Sequence, residues 1–250
     1  MELQMTGLEK RMSKLFSNKG KLFVAAFDHP QIYGIMQGLE NTPSLVASLR
    51  ASEIDGFILN PGMVSHIRPQ DFKNKLLVLR ASVGGTMLTW DSYDGNYHQS
   101  IASAEHAAAL DADAALFMFV LGGTRDKDSE LELSRVCEEY HRLGIPVIAE
   151  VLNANYEKNN DSDFIASGAR IAAELGADII KAFYCKDFER VTSQCPVPVI
   201  LAGGPKEADI TEVVKEVVSK GAKGLAFGRN LFQADDIKGL IKDLDRALRK

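Results

Sequence analysis

Cysteine is scarce in this chain: Cys137, Cys185 and Cys195 are odd in number and stand in no CxxC or Cys/His spacing. That pattern offers neither a disulfide framework nor a zinc site, so the three read as ordinary reduced thiols. The five histidines, His29, His66, His98, His106 and His141, are dispersed and form no cluster at strand ends that would hold a metal. No metal and no cofactor are therefore expected. Positive charge is not concentrated either, with 29 Lys and Arg against 34 Asp and Glu, a net charge of -5 and no basic block. Such a balance gives no general attraction to nucleic acid or to an anionic membrane, so neither is an expected partner and any anion must be held locally. No apolar stretch reaches the about 18 residues that a membrane span needs. The opening MELQMTGLEKRMSKLF is polar throughout and lacks a signal-peptide core, which makes a cytoplasmic location the expectation. No composition shift or Pro/Ser-rich linker divides the chain.

What the chain does have is apolar substance: 46% hydrophobic and 25% charged residues over 250 positions, enough for a large core. Eight runs rich in Val, Ile, Leu and Phe recur along it: 22–28, 56–61, 76–82, 114–121, 146–152, 177–184, 198–204 and 224–230. Helical signals fill most of the intervals. Thr42-Pro43 opens one helix, Ser129 another, Asp161 a third, and Glu207 lies near the start of a fourth. Gly144, Gly176 and Gly221 follow the last periodic residues as helix-ending glycines. Near-continuously apolar strands alternating with such helices imply a parallel sheet covered on its outer face. Length alone also fits two small domains, but eight strands without a linker predict one (β/α)8 TIM barrel spanning residues 1–250, with residues 1–20 as a helical extension. Within that extension, 5–18 reads as an amphipathic helix that either plugs the barrel bottom or mediates subunit contacts.

Within these apolar strands a few charges stand out. Alternation places Lys181 of ADIIKAFY on the face of Ile179 and Phe183. Burial disfavours an ammonium and leaves a nucleophilic amine, as imine chemistry requires; a lysine paired with a carboxylate for structural reasons is the plainer alternative. Asp28 closes the first run and Glu150 sits in the fifth. In a TIM barrel the C-terminal ends of strands form the active face, so Asp28, Glu150 and Lys181 are expected to converge there. Two carboxylates beside an amine suit proton shuttling, or simply compensate a buried charge. His29 points to the opposite face if its strand continues and ranks second.

After the seventh run comes Ala202-Gly203-Gly204-Pro205-Lys206, and after the eighth Phe227-Gly228-Arg229-Asn230. These are the loops where TIM barrels commonly hold phosphate, so Gly203, Gly204, Gly228 and Arg229 are candidate phosphate ligands; tight turns alone would also account for the glycines. Gly84-Gly85 and Gly122-Gly123 extend this pattern around the rim, with plain turns as the alternative. The polar and aromatic stretch 90–100 is a surface loop in which Tyr93, Tyr97 and His98 are secondary candidates for substrate contact, while Trp90 is uninformative.

The motifs AAFDHP, GADIIKAFY, LAGGPK and FGRNLFQ together resemble the DeoC/FbaB/LacD class I aldolase family, most closely its archaeal-type fructose-bisphosphate aldolase branch, over residues 20–235. The resemblance implies that Lys181 is the Schiff-base lysine, Asp28 the acid beside it, and Gly203, Gly204, Gly228 and Arg229 the phosphate cradle. It implies a homo-oligomer and a phosphorylated sugar substrate. Strand five departs from that branch: Glu150-Val151-Leu152-Asn153 stands where an aromatic proton donor is usual, and Glu150 resembles the glutamate of the tagatose-bisphosphate branch instead. Strand four has no lysine and Pro30 replaces a glycine. The expected activity is a metal-independent lyase that cleaves or forms a C–C bond in a phosphorylated ketose or related keto substrate. A transaldolase or thiolase-like transferase using the same lysine, an isomerase, and a barrel that only binds sugar phosphate are the alternatives.

Overall fold

In the computed structural model, which describes residues 6–72, 74–88, 95, 97–203 and 209–250, the eight apolar runs form eight parallel strands. They are β1 (Leu22–Ala26), β2 (Gly56–Leu59), β3 (Leu76–Arg80), β4 (Ala114–Leu121), β5 (Val147–Asn153), β6 (Ile179–Ala182), β7 (Val199–Leu201) and β8 (Gly224–Phe227). Each pairs with its sequence neighbours, and β1 closes the ring against β8, with Leu22 opposite Gly224 and Ala25 opposite Phe227. The fold is a (β/α)8 TIM barrel.

Strand alternation explains the core. Leu22, Val24 and Ala26 of β1 join Ile58, Val78, Leu116, Ile148, Ile179, Ile200 and Ala226 in one interior cluster. Phe23, Ala25, Phe57, Leu79, Phe117 and Val151 face outward into a second, larger cluster shared with the helices. Both faces of every strand are thus dry, which is why the runs carry almost no polar residues.

The helix Gly7–Leu15 packs on the floor of the barrel. A capping box starts it, with Glu9 N donating to Thr6 Oγ1 at 3.3 Å and Thr6 N donating to Glu9 Oε2 at 2.6 Å. Its Leu15 is buried in the interior cluster, with Met12 and Phe16 packed against it, so the helix closes the N-terminal mouth of the barrel. Lys14 Nζ reaches Asp113 Oδ1 at 2.5 Å, and the other oxygen of Asp113 accepts from Leu77 N at 2.9 Å, which ties the plug to β3 and β4.

Helix ends follow the expected chemistry with one shift. Asp161 caps Ser162–Glu174, and Gly144, Gly176 and Gly221 take positive φ (67°, 107° and 96°), a conformation that only glycine adopts without strain. Ser129, expected to open a helix, instead lies buried inside Asp126–Arg142. Asp126 accepts from Gly122 N and Gly123 N at 3.0 and 2.9 Å, which ties the first turn to the end of β4 and draws the helix start forward. Glu207 falls outside the described residues; the helix that follows, Ile210–Ser219, is capped by Asp209.

Candidate active site

Above the apolar layers, the next inward positions of the barrel are polar. In register, Met118 of β4 stands opposite Glu150 of β5, and Glu150 opposite Lys181 of β6. Period-two geometry therefore brings Glu150 and Lys181 side by side, and Lys181 Nζ lies 2.8 Å from Glu150 Oε1 with each residue only 5% exposed. A charge pair this dry holds only because each partner answers the other; removing one strands a buried charge.

Asp28 lies two residues beyond the end of β1 and is also buried. Its Oδ2 accepts from Arg80 Nη1 at 2.6 Å, and its backbone carbonyl accepts from Asn60 Nδ2 at 2.9 Å. Arg80, the last residue of β3, is 2% exposed, donates through Nε to Ser82 O at 2.9 Å and rests Nη2 on the sulfur of Met118. Burial pushes the Asp28 carboxyl up, but Arg80, then His29 and Lys181, outweigh it and hold the group below its ordinary value. Arg80 is absent from the candidates drawn from the sequence, although LLVLRAS carries the signal that singled out Lys181: one charge in an apolar strand.

His29 corrects the expectation that it faces away. β1 ends at Ala26, and His29 has helical dihedrals (φ -54°, ψ -35°) at the start of the turn Pro30–Tyr33. Strand alternation has ceased to apply there, and the imidazole enters the cavity with Nδ1 3.6 Å from Asp28 Oδ1 and its ring edge-on to Phe232. Burial lowers its pKa, against the pull of Asp28. Space for the ring comes from Gly228, where a Cβ would lie 2.2 Å from His29 Cε1.

The cavity has two lobes that meet at Glu150 and Lys181. The smaller, about 140 Å³, runs past Asp28 and Arg80 among Ile32, Met118, Val120 and Leu152. The larger, about 600 Å³, opens between β5 and β8 and is lined by Gly203, Gly228, Arg229, Asn230 and Lys186. Three of the four candidate phosphate residues thus share one lobe; Gly204, with Lys206, lies outside the described residues. Arg229 also donates from Nη2 to Tyr156 Oη at 3.2 Å.

Tyr156 amends the reading of strand five. No aromatic lies on the strand itself, but Tyr156, in the turn Tyr156–Lys158 just after β5, lines both lobes and packs edge-on against Phe183. A loop residue obeys no strand period, so alternation could not have found it. Of the loop candidates, Tyr93 and Trp90 lie outside the described residues and Tyr97 stacks under Arg125, 4.0 Å from the ring centre. His98 is 1% exposed; burial, with Arg80 adding to it, holds its pKa down at about 3.

Similarity to known proteins agrees with this architecture. The 3-hydroxy-5-phosphonooxypentane-2,4-dione thiolase of Salmonella typhimurium is 32% identical over 241 residues, which cover 94% of this chain and 80% of that protein. The crystal structure of an archaeal fructose 1,6-bisphosphate aldolase superposes with a TM-score of 0.84 at 26% identity, covering 97% of this chain and 99% of that one. Another structure, of an archaeal fructose-1,6-bisphosphate aldolase whose catalytic Lys is covalently bound to the carbinolamine intermediate, superposes with a TM-score of 0.83 at 25% identity, covering 97% and 100%. The model of the DeoC/LacD family aldolases matches residues 22–234, from β1 to just beyond β8, and the chain belongs to that family.

Proposed function

We propose that the protein is a Schiff-base enzyme acting on a phosphorylated ketose or related keto compound, with Lys181 as the nucleophile and C–C bond cleavage or formation as its reaction. The observation that carries this reading is the buried Lys181–Glu150 pair at 2.8 Å, set where the smaller lobe meets the lobe lined by Gly228 and Arg229. Glu150 accepts the ammonium proton of Lys181, and the free amine adds to the substrate carbonyl to give a carbinolamine. Asp28 and Glu150 serve the proton transfers that expel water and leave a protonated imine. A carboxylate then takes the proton of the substrate hydroxyl, the C–C bond breaks, and its electron pair passes into the imine to give an enamine and a free aldehyde. Protonation of the enamine and hydrolysis of the resulting imine release the second product and restore Lys181. Arg229, Gly203, Gly204 and Gly228 hold the phosphate meanwhile.

The experiment is incubation with fructose 1,6-bisphosphate, fructose 6-phosphate, tagatose bisphosphate and dihydroxyacetone phosphate, each followed by borohydride and peptide mass analysis. A reduced adduct on Lys181, lost in Lys181→Met, is the expected result. Binding of a phosphorylated ligand with no adduct on any lysine would sink the aldolase reading in favour of a binding barrel. A transferase on the same intermediate is the second reading, favoured by the name of the Salmonella relative. It differs in the acceptor: turnover that requires an added aldehyde or thiol, and fails in water alone, identifies it.

A further inference from the structure

Asp28 of the second buried ion pair serves the scheme above, but its partner Arg80 has no part in it. Asp28 and Arg80 come from β-strand ends 52 residues apart in sequence, are 3% and 2% exposed, and meet at 2.6 Å. Both line the smaller lobe together with Lys181 and Glu150. The guanidinium is held at three edges, by Asp28, by the Ser82 carbonyl and by the Met118 sulfur, so it is a fixed charge instead of a mobile one.

We propose that Arg80 is a positioning residue that keeps Asp28 a carboxylate, turned into the cavity of Lys181 and competent to accept a proton there. The inference rests on the reading of Lys181 as the imine-forming lysine. Its physical ground is the cost of the position. A carboxyl this buried takes up a proton unless a cation stands against it, and a protonated Asp28 cannot serve as a base. The groups facing Asp28 leave Arg80 as its principal counter-charge. From its own segment comes His29, whose Nδ1 is 3.6 Å away and whose buried ring resists protonation. From β6 comes Lys181, which is committed to Glu150 at 2.8 Å. From just beyond β2 comes Asn60, which is neutral and bonds the backbone of Asp28. Arg229 acts on His29, and the buried His98 stays uncharged above about pH 3. An arginine suits the role because it does not lose its charge on burial.

The test uses the full chain and two readouts. The first is titration of the Asp28 carboxyl carbon by NMR in aspartate-labelled protein, assigned with Asp28→Asn. The second is the pH dependence of Lys181 adduct formation with dihydroxyacetone phosphate and cyanoborohydride. In Arg80→Met, the Asp28 titration is expected to rise by about one to three pH units. The acid limb of adduct formation moves up with it, while half-saturation by dihydroxyacetone phosphate stays put. Arg80→Lys restores both toward wild type. If Arg80→Met does not fold, Arg80→Gln, which keeps N–H donors and drops the charge, is read the same way. An Asp28 titration that does not move in the neutral variant overturns the proposal. So does an unmoved acid limb accompanied by a large loss of ligand affinity, which would make Arg80 a substrate-binding cation. Absence of any Lys181 adduct in the wild type would defeat the Schiff-base reading instead, and the carboxyl titration would still decide the role of Arg80.

Discussion

At the scale of single residues, the proposed chemistry rests on Lys181 and Glu150, each of which makes the other tolerable at 5% exposure. On the proposed mechanism, Glu150→Gln removes the group that takes the proton of Lys181. Single-turnover trapping of Lys181 by borohydride should slow by about 100-fold, the usual contribution of one positioned acid or base, and an unchanged rate would remove Glu150 from the mechanism. Gly228 works by having no side chain. An alanine there would bring Cβ within 2.2 Å of His29 Cε1 and 3.1 Å of the Ala26 carbonyl, so the imidazole must leave its seat. Overpacking of this kind costs about 1–3 kcal/mol. Gly228→Ala should show that loss in urea unfolding, together with weaker binding of inorganic phosphate measured by calorimetry.

At the scale of elements, the N-terminal helix stabilises the barrel by filling it. Leu15 is 1% exposed in the interior cluster, flanked by Met12 and Phe16. Leu15→Ala leaves a void at the barrel floor that the surrounding strands can close only in part, so a loss of about 2–5 kcal/mol is expected in chemical denaturation. A loss below half of that would mean the helix rests on the barrel without sealing it. Because the floor is remote from Lys181, borohydride trapping in the folded variant should be unaffected. The strands show the same division: their lower inward positions are Leu, Ile, Val and Ala, and their upper ones include Arg80, Met118, Glu150 and Lys181. The apolar layers and the charged residues thus occupy different ends of the same elements, the division that TIM barrels use for stability and chemistry.

At the scale of the whole molecule, buried titratable groups set the dependence of stability on pH. His98 is held at about 3 by burial, so the unfolded chain binds a proton first. Its contribution is complete above the ordinary imidazole value near 6.5 and is lost as pH falls through the window below it. Asp28, also lowered, acts in the same direction below the ordinary carboxyl value near 4. His141 acts oppositely: its hydrogen bond to Asp178 at 2.8 Å raises its pKa, so its stabilisation is present below about 6.5 and is lost as pH rises through the folded value. The unfolding midpoint should therefore fall steadily as pH drops from neutrality toward about 4. His98→Gln should flatten that fall in thermal melts whatever its effect at neutral pH; a slope as steep as wild type would remove His98 as its cause.

The order of elements and the inner face of each strand were decided by the sequence itself, because burial on both sides of a parallel strand forces a run of apolar residues and a period of two marks which face is which. Asp28, Glu150 and Lys181 were legible for the same reason: a charge in such a run is costly enough to need an explanation. Arg80 bears the same mark at the end of LLVLR. The tertiary structure alone decided who meets whom. Register set Glu150 against Lys181 and not Asp28, and closure of the barrel brought Arg80 to Asp28. The turn after Ala26 swung His29 inward, and the turn after Asn153 carried Tyr156 to Arg229. Pairings across a closed sheet depend on stagger and loop path, which no local pattern encodes, whereas periodicity is local and can be read along the chain.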